Sequence, residues 1–304
     1  MRRPASRRNP GAKPHGAPPT ATIEIEVPAW DSDGDRSRPN IRAFLLIAAA
    51  GGLSLPAAEA SAQTSPADGA PQGVVAVGVG MAPDFDGADS VRAIPFAFGT
   101  VDLGGADFHL RGLQARADLA SDSRLSFGPV VSGRLSRTDA DGPVGQLSEL
   151  DTAIEAGAFV GYQFGGDSAG QGSVLTELTL LHDVSGVHDG LLMTASASYA
   201  AVRRPDYVLS FDVQATWADA DYATTYFGVS DVESVRSGLP AYSAGHGMRD
   251  LGLGVTAGYW FTPSLGVIGR AGAVYLVGDA ADSPIVDAGS RWQPTAGVAL
   301  AYRF

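Results

Sequence analysis

From residue 73 to the last residue, apolar positions alternate with polar or small ones in runs of 8–14, broken by Gly, Asp, Ser or Pro. The clearest run is 207–217. Tyr207, Leu209, Phe211, Val213, Ala215 and Trp217 share one face, opposite Ser210, Asp212, Gln214 and Thr216. A period of two is the signature of a strand with unlike faces. Single-parity apolar faces recur at Val75–Met81, at Ile94, Phe96 and Phe98, and at Leu125, Phe127 and Val131. They continue at Ile154–Phe164, at Val174, Leu178 and Leu180, and at Leu191–Tyr199, Leu251–Phe261 and Leu265–Val277. No long segment carries a 3.6-residue period. Strands of ~9–11 residues suit a tilted crossing of a bilayer, with the apolar face turned to lipid. An open edge in lipid would strand N–H and C=O groups, so the sheet must close.

The final run, 291–304 (RWQPTAGVALAYRF), places Trp292, Pro294, Ala296, Val298, Leu300, Tyr302 and Phe304 on one parity. A terminal strand ending on an aromatic residue resembles the closing strand of a bacterial outer-membrane barrel. Tyr302 and Phe304 are then the signal read by the outer-membrane insertion machinery. Breaks alternate between short (165–172, 203–206, 262–264) and long (83–92, 137–149, 219–248, 279–289). Short turns belong to the periplasm and longer loops to the outside. With both ends in the periplasm the strand count is even. Residues 106–119 decide it, because the apolar parity slips at Arg111-Gly112. A bulge there gives an odd count, and a tight turn gives twelve. The prediction is an all-β, closed antiparallel transmembrane β-barrel of twelve strands, with ten as the alternative.

The opposite face lines a lumen. It holds Asp107, His109, Arg111, Gln114, Arg116, Asp118, Arg134, Asp151, Glu155, Glu177, Asp212, Gln214, Arg270 and Arg303. Such mixed charges pair with one another and with water, or they line a narrow conduit; twelve strands leave room for either.

Composition sharpens this picture. Glycine makes up 39 of 304 residues, about 13%, near twice the usual ~7%. There is no Cys, which excludes a disulfide framework and a thiolate metal site. Residues 1–62 hold eight of the 21 basic residues and six of the 33 acids, leaving 13 Arg against 27 acids in 63–304. So acidic a body is unsuited to nucleic acid. Acidic outer loops stay solvated, and they can share divalent cations with lipopolysaccharide. The apolar run 43–55, followed by Ala60-Ser61-Ala62, is too short to span a membrane and reads as a signal peptide over 41–62. Residues 1–40 precede it as an extension: either translation starts later than Met1 or the segment is disordered. Residues 63–72 form a flexible mature N-terminus and 73–304 the barrel.

Several segments resemble the MipA/OmpV family of outer-membrane proteins. They are Tyr226-Phe227-Gly228-Val229, Ser237-Gly238-Leu239-Pro240-Ala241-Tyr242, Gly247-Met248-Arg249-Asp250 and Gly278-Asp279-Ala280-Ala281-Asp282-Ser283-Pro284-Ile285-Val286. Pro83-Asp84-Phe85-Asp86-Gly87-Ala88-Asp89, His188-Asp189-Gly190 and the closing Ala301-Tyr302-Arg303-Phe304 fit as well. The similarity covers about 73–304. It implies an outer-membrane protein with no enzymatic activity and no cofactor. It further implies a scaffold linking a lytic murein transglycosylase to a murein synthase, with a small porin-like channel or an adhesin as alternatives.

Chemistry of other kinds has weak support. Asp84, Asp86 and Asp89 have a vague Ca²⁺-loop spacing, but position 12 is Pro95 where an EF-hand has Glu. His182-Asp183 and His188-Asp189 flank one outer turn, yet Ser185 and Ser196 lack a nucleophile context. The longest loop, 219–247, is rich in Tyr and Phe and serves either as a plug or as a binding loop. Packing of that loop against Arg270, Asp212 and Glu177 would oppose conduction.

Overall fold

The computed structural model describes residues 72–304, apart from 104, 121–123 and 139. The extension, the signal peptide and residues 63–71 lie outside the described residues. Twelve antiparallel strands form one closed barrel, each paired with its sequence neighbours and the first with the last. They are β1 (Gln72–Pro83), β2 (Val91–Asp102), β3 (Asp107–Arg111), β4 (Gln114–Asp118), β5 (Leu125–Arg134) and β6 (Ala153–Gly165). The second half comprises β7 (Ser173–Asp183), β8 (Leu191–Arg203), β9 (Tyr207–Ala218), β10 (Gly247–Trp260), β11 (Leu265–Leu276) and β12 (Trp292–Arg303). The seam runs from Val74 opposite Arg303 to Met81 opposite Ala296. No helix among the described residues is long and apolar enough to cross a membrane; the strands do the crossing.

The phase slip at Arg111-Gly112 is a turn. Arg111 faces Gln114 across the β3–β4 hairpin, and Gly112 takes φ 60°, a left-handed conformation that glycine adopts without strain.

The apolar parity points outward almost everywhere. Val77 is 71% exposed, Val79 67%, Leu253 62% and Leu300 67%. An apolar belt of that extent needs lipid rather than water around it. Tyr162, Phe164, Tyr199, Tyr259, Phe261, Tyr302 and Phe304 are all exposed near the short-turn rim, where they form an aromatic girdle. Trp292, 4.9 Å from Tyr275, stands at the opposite rim.

β2 departs from the expected orientation. Its Phe96 pairs with Gly78 and its Pro95 with the exposed Val79, so Ile94, Phe96 and Phe98 turn inward rather than to lipid. The reason is space. Gly78, Gly80 and Gly297 present no side chain there, and a Cβ on Gly297 would lie 2.6 Å from the Phe96 ring. Phe96 and Phe98 pack with Ala76, Trp260, Ile268, Ala299 and Ala301 into an apolar cluster in the lower lumen. Arg303 lies 3.9 Å above the Trp260 ring. Asp151 is a second correction: it is exposed in the chain before β6, not on the lumen wall.

Candidate functional site

The long loops carry the only helices among the described residues. They are α1 (Ala220–Phe227), α2 (Asp231–Ser237), α3 (Gly278–Ala281) and α4 (Pro284–Asp287), with a 3-10 turn at Val144–Gln146. α1, α2 and α4 each begin where a polar side chain satisfies free N–H groups. Asp219 accepts from Tyr222 N at 3.0 Å and starts α1. Ser230 and Glu233 form a reciprocal capping box on α2. Gly238 ends α2 at φ 77°.

α1, α3 and α4 fold into the outer mouth, whereas α2 has no buried residue. Tyr222 and Phe227 are fully buried, and Tyr226, Ala223, Ala244, Ala280, Ala281 and Val286 pack with them in a cluster that includes Leu192 and Leu276 of the wall. A smaller cluster joins Val144, Leu147, Val229 and Ile285 from three loops.

A polar network ties this plug to the wall. Asp86 accepts from the Tyr222 hydroxyl at 2.6 Å and from Arg134 Nη1 at 3.3 Å. Arg134 also donates from Nε to Glu155 at 2.7 Å, and its guanidinium sits 4.9 Å from the Tyr222 ring. Arg249 donates to the Tyr222 hydroxyl at 2.6 Å and pairs with Asp250. His188, fully buried, has Nε2 3.4 Å from Glu155. Burial alone would raise the Asp86 pKa, but Arg249, Arg134 and the Tyr222 hydroxyl outweigh it and hold the carboxyl below its ordinary range. The network sets three carboxylates against two guanidiniums and the His188 imidazole, so removing a guanidinium leaves a carboxylate short of its partner.

The family-motif residues lie in this plug. Ser283, fully buried, donates to the Phe227 carbonyl at 2.6 Å and accepts from Ile285 N, one place past Pro284 at the start of α4. Gly228 closes α1 with a bond to Thr224 O, and Val229 bridges to Tyr242. Tyr242 donates to Asp279 O at 2.9 Å, while the Asp279 carboxylate accepts from Gly245 N at 2.7 Å. Ser237 accepts from Leu239 N, and exposed Pro240 leads to Tyr242. Tyr302 and Phe304 stack 6.2 Å apart on the lipid side.

The lumen residues fall into two groups. Glu155 belongs to the plug network. Glu177, paired with Arg116, and Asp212, paired with Arg270 at 2.6 and 2.7 Å, lie on the wall. Gln214 occupies space left by Gly252, whose added Cβ would lie 2.7 Å from it. Loop 219–246 therefore closes the mouth through Asp86, Arg134, Glu155 and Arg249, not through Arg270, Asp212 and Glu177. Two acids of the 84–89 loop go to cations, Asp84 to Arg92 and Asp86 to Arg134 and Arg249, while Asp89 is exposed. No group of three metal-ligating side chains occurs among the described residues. Ser185 donates its hydroxyl to Asp183 rather than meeting a histidine.

In sequence Asp86, Arg134 and Arg249 fall in separate segments and Tyr222 in the aromatic loop 219–247, with no local pattern that joins them. The signal for α2 was readable: Ser230-x-x-Glu233 is a capping-box spacing.

Two smaller predictions arise here. Ser283→Ala removes a cap and leaves the buried Phe227 carbonyl without its donor, at a cost of about 1–3 kcal/mol. Thermal unfolding of the refolded barrel measures it. Glu233 accepts from Ser148 N at 2.9 Å and from the Ser230 hydroxyl at 2.7 Å. Burial pulls against them, yet these bonds hold its pKa at about 2. Because the folded pKa is depressed, the stabilisation is complete above the ordinary value of 4.5 and is lost as pH falls toward about 2. Hydrogen exchange over 230–237, corrected for its intrinsic pH dependence, should accelerate across that window. Glu233→Gln should remove the pH dependence.

Solved structures that resemble this chain are outer-membrane barrels. An outer-membrane channel from Pseudomonas putida F1 is 12% identical, covering 80% of this chain and 100% of that one, with a TM-score of 0.36. The porin NanC is 7% identical, covering 77% and 99%, with a TM-score of 0.36. The translocator domain of the autotransporter NalP from Neisseria meningitidis is 13% identical, covering 79% and 90%, with a TM-score of 0.37. No curated protein matches the chain. The family model described as MltA-interacting protein MipA matches residues 75–304, the whole span from the first strand to the last residue. This chain, an outer-membrane β-barrel, belongs to the MipA family.

Proposed function

We propose that the protein is a sealed outer-membrane barrel, without catalysis of its own, that anchors peptidoglycan-remodelling enzymes. The observation that carries this reading is the plug: Tyr222 and Phe227 have no exposed surface, and both lie on a helix folded into the mouth. A passage for solutes would leave those side chains wetted. The family description, MltA-interacting protein, supports a lytic transglycosylase as the partner; a murein synthase as the second enzyme is what the resemblance to the MipA/OmpV family implies. Such partners would meet the barrel at its periplasmic turns, of which 166–172 is the longest fully described. Lipid and lipopolysaccharide surround the wall, and the insertion machinery reads Tyr302 and Phe304.

Planar-bilayer recording from the refolded chain 63–304, beside a form lacking 222–246, tests the seal. Silence in the first and conductance in the second are expected. Steady conductance in the first would overturn the seal and favour the channel reading, in which the Arg270–Asp212 and Arg116–Glu177 pairs line the path. Binding of purified transglycosylase to the barrel in nanodiscs tests the anchor, and absence of a complex would overturn it.

A further inference from the structure

The wall is not equally tall all round. β3 and β4 have five residues each, whereas the other strands have 10–14. At ~3.3 Å per residue and a tilt of ~40°, the hairpin rises roughly 13 Å, well short of an apolar band ~25 Å tall. Its tip meets the two flanking strands at different places. On the β5 side the Leu113 carbonyl accepts from Gly133 N at 3.0 Å, one residue from the strand end. On the β2 side Gly112 N donates to the Ala97 carbonyl at 2.8 Å, and Val91–Phe96 continue beyond it, paired only with β1.

That stretch of β2 is a sheet edge inside the barrel wall. The Ala97 carbonyl points to the hairpin, so the main-chain groups of Pro95, Ala93 and Val91 point the same way into the gap. Pro95 brings no N–H there, which is where proline is tolerated in a sheet. Among the described residues no hydrogen bond reaches the other groups from across the gap. Above the gap, Arg92 Nη2 donates to the Ser136 carbonyl at 2.7 Å, joining the top of β2 to the chain after β5. The outer rim is apolar: Val91, Leu113 and Val131 are exposed. Ile94 and Phe96 stand behind it, facing inward.

Unpaired backbone at membrane depth is tolerated only where it is buried in protein or borders a watered cavity, and Val91, Ala93 and Pro95 are exposed rather than buried. We infer that the gap between β2 and β5, above the β3–β4 hairpin, is a lateral opening that admits the acyl chain of an outer-leaflet lipid into the lumen. The chain would lie against Ile94 and Phe96, while lumen water and the lipid's polar groups meet the edge of β2. This inference does not depend on the anchor reading, and a sealed outer mouth is compatible with it.

The absence of native Cys makes the test direct. Single variants Ile94→Cys (inward, behind the gap), Ser196→Cys (inward, behind continuous wall) and Val79→Cys (lipid-facing) are labelled with bimane. Each is refolded as chain 63–304 into phosphatidylcholine vesicles carrying a nitroxide on the acyl chain, and heat-modifiable mobility verifies folding. Quenching at 94 is expected to reach at least about half that at 79, with little at 196. Quenching at 94 no greater than at 196 would overturn the opening, whether a partner strand or a loop fills the gap. If Ile94→Cys does not assemble, Phe96→Cys, inward on β2 just above the hairpin tip, takes its place with the same two outcomes.

Discussion

Arg134→Met is expected to convert a silent barrel into a conducting one. Arg134 bridges Asp86 of the first outer loop and Glu155 of β6, and it lies over Tyr222 of α1. Methionine fills much of the volume but removes the charge. The buried Glu155 and the part-buried Asp86 are then left with His188 and Arg249, at a cost of about 3–5 kcal/mol if burial were complete and less for Asp86. The loss falls on docking of the plug and not on the strand ladders, so heat-modifiable mobility should persist while conductance events appear. Arg134→Lys keeps the charge but not the fork that reaches two acids at once, and should fall between the two. A Met variant that folds and stays silent would show that the apolar cluster around Phe227 holds the mouth by itself.

Gly78→Val should prevent assembly altogether. A Cβ at this position would lie 1.9 Å from the Val298 carbonyl oxygen and 2.5 Å from Ala299 Cα, both main-chain atoms of β12. Neither can withdraw without opening the β1–β12 seam, which is the closure of the barrel. Gly99→Ala is the control, because its nearest new neighbour would be 3.6 Å away, an ordinary contact. Gel mobility before and after heating separates them: Gly99→Ala should show a compact folded band and Gly78→Val none. Equal folding of both would mean that the seam tolerates a wider spacing than its register implies.

The strand wall was legible because its two faces meet different surroundings. Tyr207 to Trp217 and Trp292 to Phe304 show this plainly, and even the slip at Arg111-Gly112 pointed to the hairpin. Parity alone does not say which face looks out. The alternation at Ile94, Phe96 and Phe98 reads as a lipid-facing run, but glycines on β1 and β12 make room for these side chains inside. The plug was less legible for another reason. Arg134 and Glu155 are 21 residues apart, and Tyr222 and Asp86 are 136 apart. No local pattern encodes such a pairing. Only the short-range pieces, the Ser230–Glu233 box and the Ser283-Pro284 start of α4, leave a mark in sequence.

The members of the mouth network come from different places along the chain. Asp86 follows β1, Arg134 ends β5, Glu155 lies on β6, His188 follows β7, Tyr222 is on α1 and Arg249 is on β10. No loop can swing away alone without breaking contacts that belong to the others. Any opening of this mouth is therefore all-or-none, seen as rare, abrupt events of a single amplitude rather than a staircase of partial ones.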